Sequence, residues 1–261
     1  MDNVNKTLYI PLYGKAQVSK RGIIISDPMA EKIWDAHGFP LKGKSRSKWL
    51  TLYMGMRAAV FDRWTISRAR EEPDTVVLHM GCGLDARILR TGLENEWYDI
   101  DFPEVIEHRK VCFPEKERYH LLGADVREEG WLPSLPKGGT AIVVMEGMSM
   151  YLTRRELLDL LTRLSAHFGR VKLLMDCYTE FAAKATKYKN PINDVGVAQV
   201  YGLDDPQVLT EGTGFRFVQE HDLTPKDLID QLRGKERRIF RSVFAGAMAR
   251  KLYRLHELES E

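Results

Sequence analysis

The sequence predicts an α/β fold: a mostly parallel sheet with helices on both faces, preceded by a helical cap. Beyond residue 70, short apolar runs alternate with helical patterns, as parallel strands and their crossover helices do. The first of these runs, Thr75-Val76-Val77-Leu78-His79-Met80, leads into Gly81-Cys82-Gly83-Leu84-Asp85-Ala86-Arg87, a strand that ends in a glycine turn opening a helix. Before residue 70, apolar side chains recur at three- and four-residue spacing with no strand alternation. At 261 residues, 44% of them hydrophobic, the chain can bury a large core, and a single domain over 1–261 is expected.

In the cap, residues 1–70, Asp27 is placed to cap a helix running through Trp34, and a second helix is expected over Trp49 to Ala69. Pro40, Gly43 and the basic-polar run Lys42 to Lys48 separate them. In the core, residues 71–261, strands are expected at Thr75–Met80, Glu96–Ile100, Tyr119–Gly123, Thr140–Glu146 and Val171–Met175, with helices starting near Asp85, Pro103 and Thr153. Thr153-Arg154-Arg155-Glu156 has the spacing of a capping box. Glu180 to Lys189 reads as helical until Asn190-Pro191 breaks it, and Val195 to Leu209 also reads as helical. Phe215 to Val218 reads as a strand, followed by a helix around Leu228 to Ala249 and a last strand near Leu252 to Leu258.

Two glycines one residue apart at a strand's end let backbone N–H groups approach a ligand at the start of the next helix. Gly81 and Gly83 fit a nucleotide-cofactor turn, and the pattern also satisfies the dinucleotide fingerprint. Asp85 separates the two: a carboxylate in the turn repels a pyrophosphate but suits S-adenosylmethionine (SAM), which has no phosphate and carries a sulfonium and an ammonium.

Ligands of open parallel sheets sit outside the carboxyl ends of the strands, and three more stations follow there. Asp101, 18 residues after Gly83, is placed for a ribose diol, with Asp99 directed elsewhere by the period-two alternation; capping of the helix at Pro103 is the alternative role for Asp101. In Gly123-Ala124-Asp125-Val126, Asp125 can accept from an adenine amino group while Val126 packs on the ring. Glu146 ends an apolar strand where a ligand ammonium or sulfonium would lie, unless it pairs with an arginine of the cap. Tyr151, just past that strand, is the candidate to orient a substrate oxygen, or else a tyrosine at the edge of the core.

A net charge of +2, with Lys and Arg spread along the chain, points away from nucleic acid. No apolar run reaches the length needed to cross a bilayer, and the start lacks a signal-peptide pattern, so no membrane association and a cytoplasmic location are expected. The three cysteines, Cys82, Cys112 and Cys177, lie far apart with no metal spacing, and no metal is called for. The histidines at 37, 108, 120, 167, 221 and 256 are isolated, leaving no assignable base and favouring an acceptor oxygen that is already ionised.

Three ordered stretches, Val77 to Arg87, Trp97 to Arg109 with its Asp-Phe-Pro-Glu-Val-Ile core, and Glu146-Gly147-Met148-Ser149-Met150-Tyr151-Leu152, resemble the leucine carboxyl methyltransferase family, in the branch that includes tetracenomycin-type polyketide O-methyltransferases. The resemblance covers nearly the whole chain. It implies a Rossmann-like class I SAM-dependent methyltransferase with a seven-stranded, mostly parallel sheet, an N-terminal helical cap and a substrate-region insertion about 178–212. It also implies O-methylation of a carboxylate or hydroxyl oxygen on a small-molecule or polyketide-like acceptor, by a monomer or homodimer. The cofactor set it implies is Gly81 and Gly83 at the methionine moiety, Asp101 at the ribose, Asp125 and Val126 at the adenine, and Glu146 at the methionine end. Arg57 matches the family's cap arginine, and Lys20, with Arg21 or Lys15 beside it as alternatives, supplies the second cation for the SAM carboxylate. His79-Met80 and Ala86 depart from the family's common Asn-Leu and Thr, and the segment after Asp176 matches weakly. The competing readings are a nicotinamide-dependent oxidoreductase, which should not carry Asp85 or Glu146 at these points, and a non-catalytic SAM-binding module of the same fold.

Overall fold

The computed structural model describes residues 7–186, apart from 38, 40 and 42, and residues 199–261. The strands β1 (Val76–Met80), β2 (Trp97–Asp101), β3 (Tyr119–Gly123), β4 (Thr140–Met145), β5 (Arg170–Tyr178), β6 (Phe215–His221) and β7 (Tyr253–Ser260) form a seven-stranded sheet in the order β3-β2-β1-β4-β5-β7-β6. Only β7 is reversed, running antiparallel to both β5 and β6. Strand order turns back between β1 and β4, so their carboxyl ends flank a crevice, the usual ligand position in such sheets.

Alternation along the strands feeds two cores. Val77, Ile142, Val144 and Leu174 pack with Leu52, Met56 and Phe61 of the cap, whereas Leu78, Val143, Met145 and Leu173 pack with Leu157, Leu160 and Leu164 of α6 (Arg154–His167) on the other face. The capping box starts α6: the Thr153 Oγ1 accepts from the Glu156 N–H at 3.2 Å, and Glu156 accepts from the Thr153 N–H at 2.7 Å.

The cap is three helices, α1 (Tyr9–Lys20), α2 (Pro28–His37) and α3 (Lys48–Glu71). Asp27 caps α2 through the Ala30 N–H at 2.9 Å. Wedged between α1 and the sheet, α3 is buried on most of its faces. It crosses α1 at glycines: a Cβ on Gly14 would lie 2.7 Å from the Cβ of Met54, and one on Gly55 would lie 2.8 Å from a Val18 methyl.

Three expectations are corrected. The helix expected from Asp85 is the short α4 (Arg87–Thr91), because the ligand turn extends through Asp85. The described part of Val195 to Leu209 holds only a 3-10 turn, Pro206–Leu209. Before that turn the backbone runs alongside β5, with the Gly202 α-carbon so close to Thr179 and Glu180 that a Cβ would lie 2.5 Å from the Thr179 carbonyl oxygen. The long C-terminal helix is three pieces, α8 (Lys226–Asp230), α9 (Gly234–Val243) and α10 (Gly246–Arg250), interrupted at glycines. Residues 187–189 and 195–198 of the expected helices lie outside the described residues. The helix over the described start of that segment is α7 (Glu180–Ala185).

The α1–α3 crossing generates a test. Gly55→Val overpacks it and is expected to lower unfolding free energy by about 1–3 kcal/mol in urea titrations.

Candidate functional site

A cavity of about 1150 Å³ opens at the carboxyl ends of β1, β2 and β4 beneath α1 and α3. Its wall includes Gly81, Gly83, Asp101, Asp125, Val126, Glu146, Arg57 and Tyr151, so eight of the nine residues singled out from the sequence meet in one chamber. Lys20 does not. It lies on the outer side of α1, paired with Asp35 at 2.5 Å, whereas Lys15 lines the cavity and pairs with Asp85 at 3.0 Å. Five residues along a helix rotate a side chain by about 140°, so the two lysines face opposite ways.

Gly81 takes a φ of +66°, which glycine adopts without strain, and packs so closely on Met148 that a Cβ would come within 3.0 Å of it. The Asp101 carboxylate braces the turn, accepting from the Gly83 N–H at 2.7 Å and the Phe102 N–H at 2.8 Å. Two oxygens with about four lone-pair sites leave acceptor capacity for a ligand diol. The helix α5 (Pro103–Cys112) has no side-chain cap bond. Asp125 is gripped by its neighbour Arg127, whose hydrogen bonds hold its carboxyl below the usual range.

Asp99 faces the same way as Asp101, two residues along β2; depth separates them, not alternation. Asp99 is buried and takes hydrogen bonds from Trp97, His79, Tyr119 and Arg109. Arg109 continues to the carbonyl oxygens of Gly83 (2.8 Å) and Asp85 (3.0 Å), so a buried acid in mid-strand supports the glycine turn through a guanidinium. Burial alone would raise the Asp99 pKa, but Arg109 and the other donors hold it at about 2. Sequence reasoning did not single out Arg109, since an arginine within a helix carries no local sign of the turn it supports. His79 accepts from Arg87 at Nε2, so its Nδ1 carries the proton and donates to Asp99; burial keeps the ring's pKa below its usual range.

The floor is a buried charge network. Arg57 donates to Glu146 (3.0 Å), Asp176 (3.0 Å) and the Tyr253 hydroxyl (2.8 Å). Arg87 joins Glu146 and Asp62, and Arg90 joins Asp62, Asp85 and Asp27. Glu146 therefore does pair with a cap arginine while also facing the cavity. Counting Lys15, the cations Lys15, Arg57, Arg87 and Arg90 face the carboxylates of Asp27, Asp62, Asp85, Glu146 and Asp176, one negative charge in excess. SAM, with one carboxylate, one ammonium and one sulfonium, is net positive by one, so the donor set fits it better than a dinucleotide. Among the described residues, no hydrogen bond uses Nη2 of Arg57, which lies against Gly147.

Beyond this floor the wall is aromatic. Trp49 and Tyr53 of α3, Tyr151, Tyr178 of β5, and Phe244 and Tyr253 from the C-terminal segment line it. Trp49 stacks on Phe244 at 5.6 Å, and Tyr178 meets Tyr253 edge-on at 5.1 Å. The C-terminal contribution was not foreseen, because nothing local in Phe244 or Tyr253 marks them as cavity residues. Described residues of the expected insertion also contribute, through Ala182, Ala185 and Thr186.

This sheet order and crevice are those of the class I SAM-dependent methyltransferase fold. Two solved structures share the fold: a Thermobifida fusca protein described as a methyltransferase (TM-score 0.58, 12% identity, 95% of this chain and 94% of that one) and the magnesium protoporphyrin IX methyltransferase of Synechocystis with bound SAH (TM-score 0.53, 11% identity, 90% and 94%). The leucine carboxyl methyltransferase family matches over residues 12–165, and the chain belongs to that family. It is similar to the tetracenomycin polyketide synthesis O-methyltransferase TcmP of Streptomyces glaucescens, at 31% identity over 69% of this chain and 68% of TcmP. It is also similar to the SAM-dependent methyltransferase dpfgK of Gibberella zeae, at 28% identity over 64% of this chain and 61% of dpfgK. Its cofactor is SAM. No helix among the described residues is long and apolar enough to cross a membrane.

Two measurements check the site. Lys15→Ala is expected to weaken binding of S-adenosylhomocysteine (SAH) about tenfold by calorimetry, roughly the worth of one charge-assisted contact, with Lys20→Ala unchanged. The Asp99 pKa in the folded chain lies below its ordinary 3.8, so its contribution to stability is present above pH 4 and lost as pH falls towards about 2. Wild type should exceed Asp99→Asn by about 2 kcal/mol at pH 7, a gap that narrows in denaturant titrations below pH 4.

Proposed function

We propose that the protein methylates a carboxylate oxygen of a small aromatic or polyketide-like acid. The observation that carries this reading is an aromatic chamber, continuous with the cofactor crevice, whose described lining offers no histidine free to act as a base. His79 is the one histidine among the described lining residues, and both its ring nitrogens are engaged by Asp99 and Arg87. Burial pushes the Tyr151 hydroxyl up to about 12, so at neutral pH it keeps its proton, does not serve as a base, and has an O–H to donate. A carboxylate is already ionised and needs no base, whereas a phenol with a pKa near 10 would want one. The name of the Streptomyces glaucescens relative, an O-methyltransferase of polyketide synthesis, supports transfer to oxygen and an acceptor of this kind.

In this reading Arg57 and Lys15 take the SAM carboxylate, Glu146 the ammonium, Asp101 the ribose hydroxyls, and Asp125 with Val126 the adenine. Bound there, SAM supplies an electrophilic methyl carbon on its sulfonium. Tyr151 orients the acceptor oxygen by donating its O–H. The aromatic walls hold the acceptor flat and exclude water, which strengthens attraction between its negative oxygen and the positive cofactor. The product is a methyl ester.

Labelled SAM supplied with paired aromatic acids and phenols tests this reading. The expected product releases its label as methanol in mild alkali, as an ester does; label that survives alkali, as in an ether, would replace the carboxylate reading with a hydroxyl one. Activity on the acid should vary little between about pH 6 and 9, because no group that titrates in that range is needed. Tyr151→Phe should keep SAH affinity and lower kcat about tenfold, the loss of one orienting hydrogen bond.

A further inference from the structure

We propose that His37, His108 and Cys112 form a binding site for a divalent transition metal of the zinc type, fastening cap helix α2 to core helix α5. The site is separate from the cavity, since none of the three residues lines it. His108 and Cys112 are four residues apart on α5, which sets both side chains on one helix face. His37, the last residue of α2, comes across to meet them. One donor atom from each lies within 4.8 Å of the others, and the Cys112 sulfur is 4.0 Å from Nε2 of His37. Zinc bonds of about 2.0 Å to nitrogen and 2.3 Å to sulfur put tetrahedral donors roughly 3.3–3.6 Å apart. Side-chain rotation of about an ångström therefore closes the site, with no movement of either helix.

Three independent features favour a cation there. Nδ1 of His108 is buried with no hydrogen-bond partner among the described residues, an orphan of the kind a metal repairs. His37 and Cys112 each end a ten-residue helix, where the exposed carbonyl groups favour positive charge. The set of two imidazoles and one thiol suits zinc, cobalt or nickel and not a hard cation such as magnesium or calcium. Ring contacts hold the imidazoles in place: His37 stacks on Phe39 at 5.5 Å and meets His108 edge-on at 5.5 Å. Binding would exchange the Cys112 S–H proton, released to solvent, for a metal–thiolate bond, with water completing the coordination.

The position gives the site a purpose. The N-terminal turn of α5 follows Asp101 and places Glu104 and Val105 in the cavity wall, while α2 packs on α1, which carries Lys15. A metal clip would hold the cap against the core where both border the cofactor.

The full-length protein, kept reduced with a phosphine and freed of metal, is titrated with Zn²⁺ by calorimetry and with Co²⁺ by absorbance. One equivalent of each should bind, cobalt giving the intense thiolate-to-metal charge-transfer band. Cys112→Ser should abolish that band, and both Cys112→Ser and His37→Ala should weaken zinc at least tenfold. Retained SAH binding in the two variants would show that they are folded. Absence of stoichiometric metal binding by wild type, or binding that both substitutions leave unchanged, would overturn the proposal.

Discussion

The Arg57 guanidinium, sunk from the cap helix α3 between Glu146 and Asp176, is the constraint on which the rest of the structure depends. Glu146 follows β4, Asp176 lies in β5, and the Tyr253 hydroxyl in β7 completes the set, so one side chain joins the cap to three strands. Desolvating an arginine and two acids is costly, and such clusters add little net stability compared with apolar packing. What they supply is geometry: any other seating of α3 would strand a buried charge. The cavity owes its shape to that requirement, because α3 bears both Arg57 at the charged floor and Trp49 and Tyr53 on the aromatic wall.

A second support acts on the glycine turn from below. Asp99 and Arg109 fasten the turn's carbonyl groups, while Asp101 fastens the N–H of Gly83, so the loop is held from both ends of its peptide dipoles. A loop gripped in this way presents Gly81 and Gly83 to a ligand with little ordering left to be done on binding. The His79 that departs from the family's common asparagine is accommodated inside this support, as a neutral ring relaying between Asp99 and Arg87.

The parts of the candidate site legible in the sequence were those set by local spacing: the glycine turn, the acid at the end of β2, the acid just past β4. A strand's end and the residue after it are neighbours in space because they are neighbours in the chain. Lys20 illustrates the limit, since lysines on one helix differ only in angle about its axis, and the weak amphipathic pattern of α1 does not say which side is down. His108 and Cys112 show the converse. Their four-residue spacing was in plain view, but their partner His37 is separated from them by the whole of α3 and the first β-α units.

By itself the sequence determined the alternation of strands and helices, the capping of α2 and α6, the glycine turn after β1 and the family, since periodicity, caps and glycines act within a few residues. Tertiary structure alone decided which lysine faces the cavity, that Arg109 supports the turn, and that Phe244 and Tyr253 close an aromatic chamber with Trp49. The reason is that β7 inserts between β5 and β6, carrying the C-terminal segment back to the carboxyl end of β5. Such proximity is fixed by strand order and packing across about two hundred residues of chain, and no local pattern encodes it.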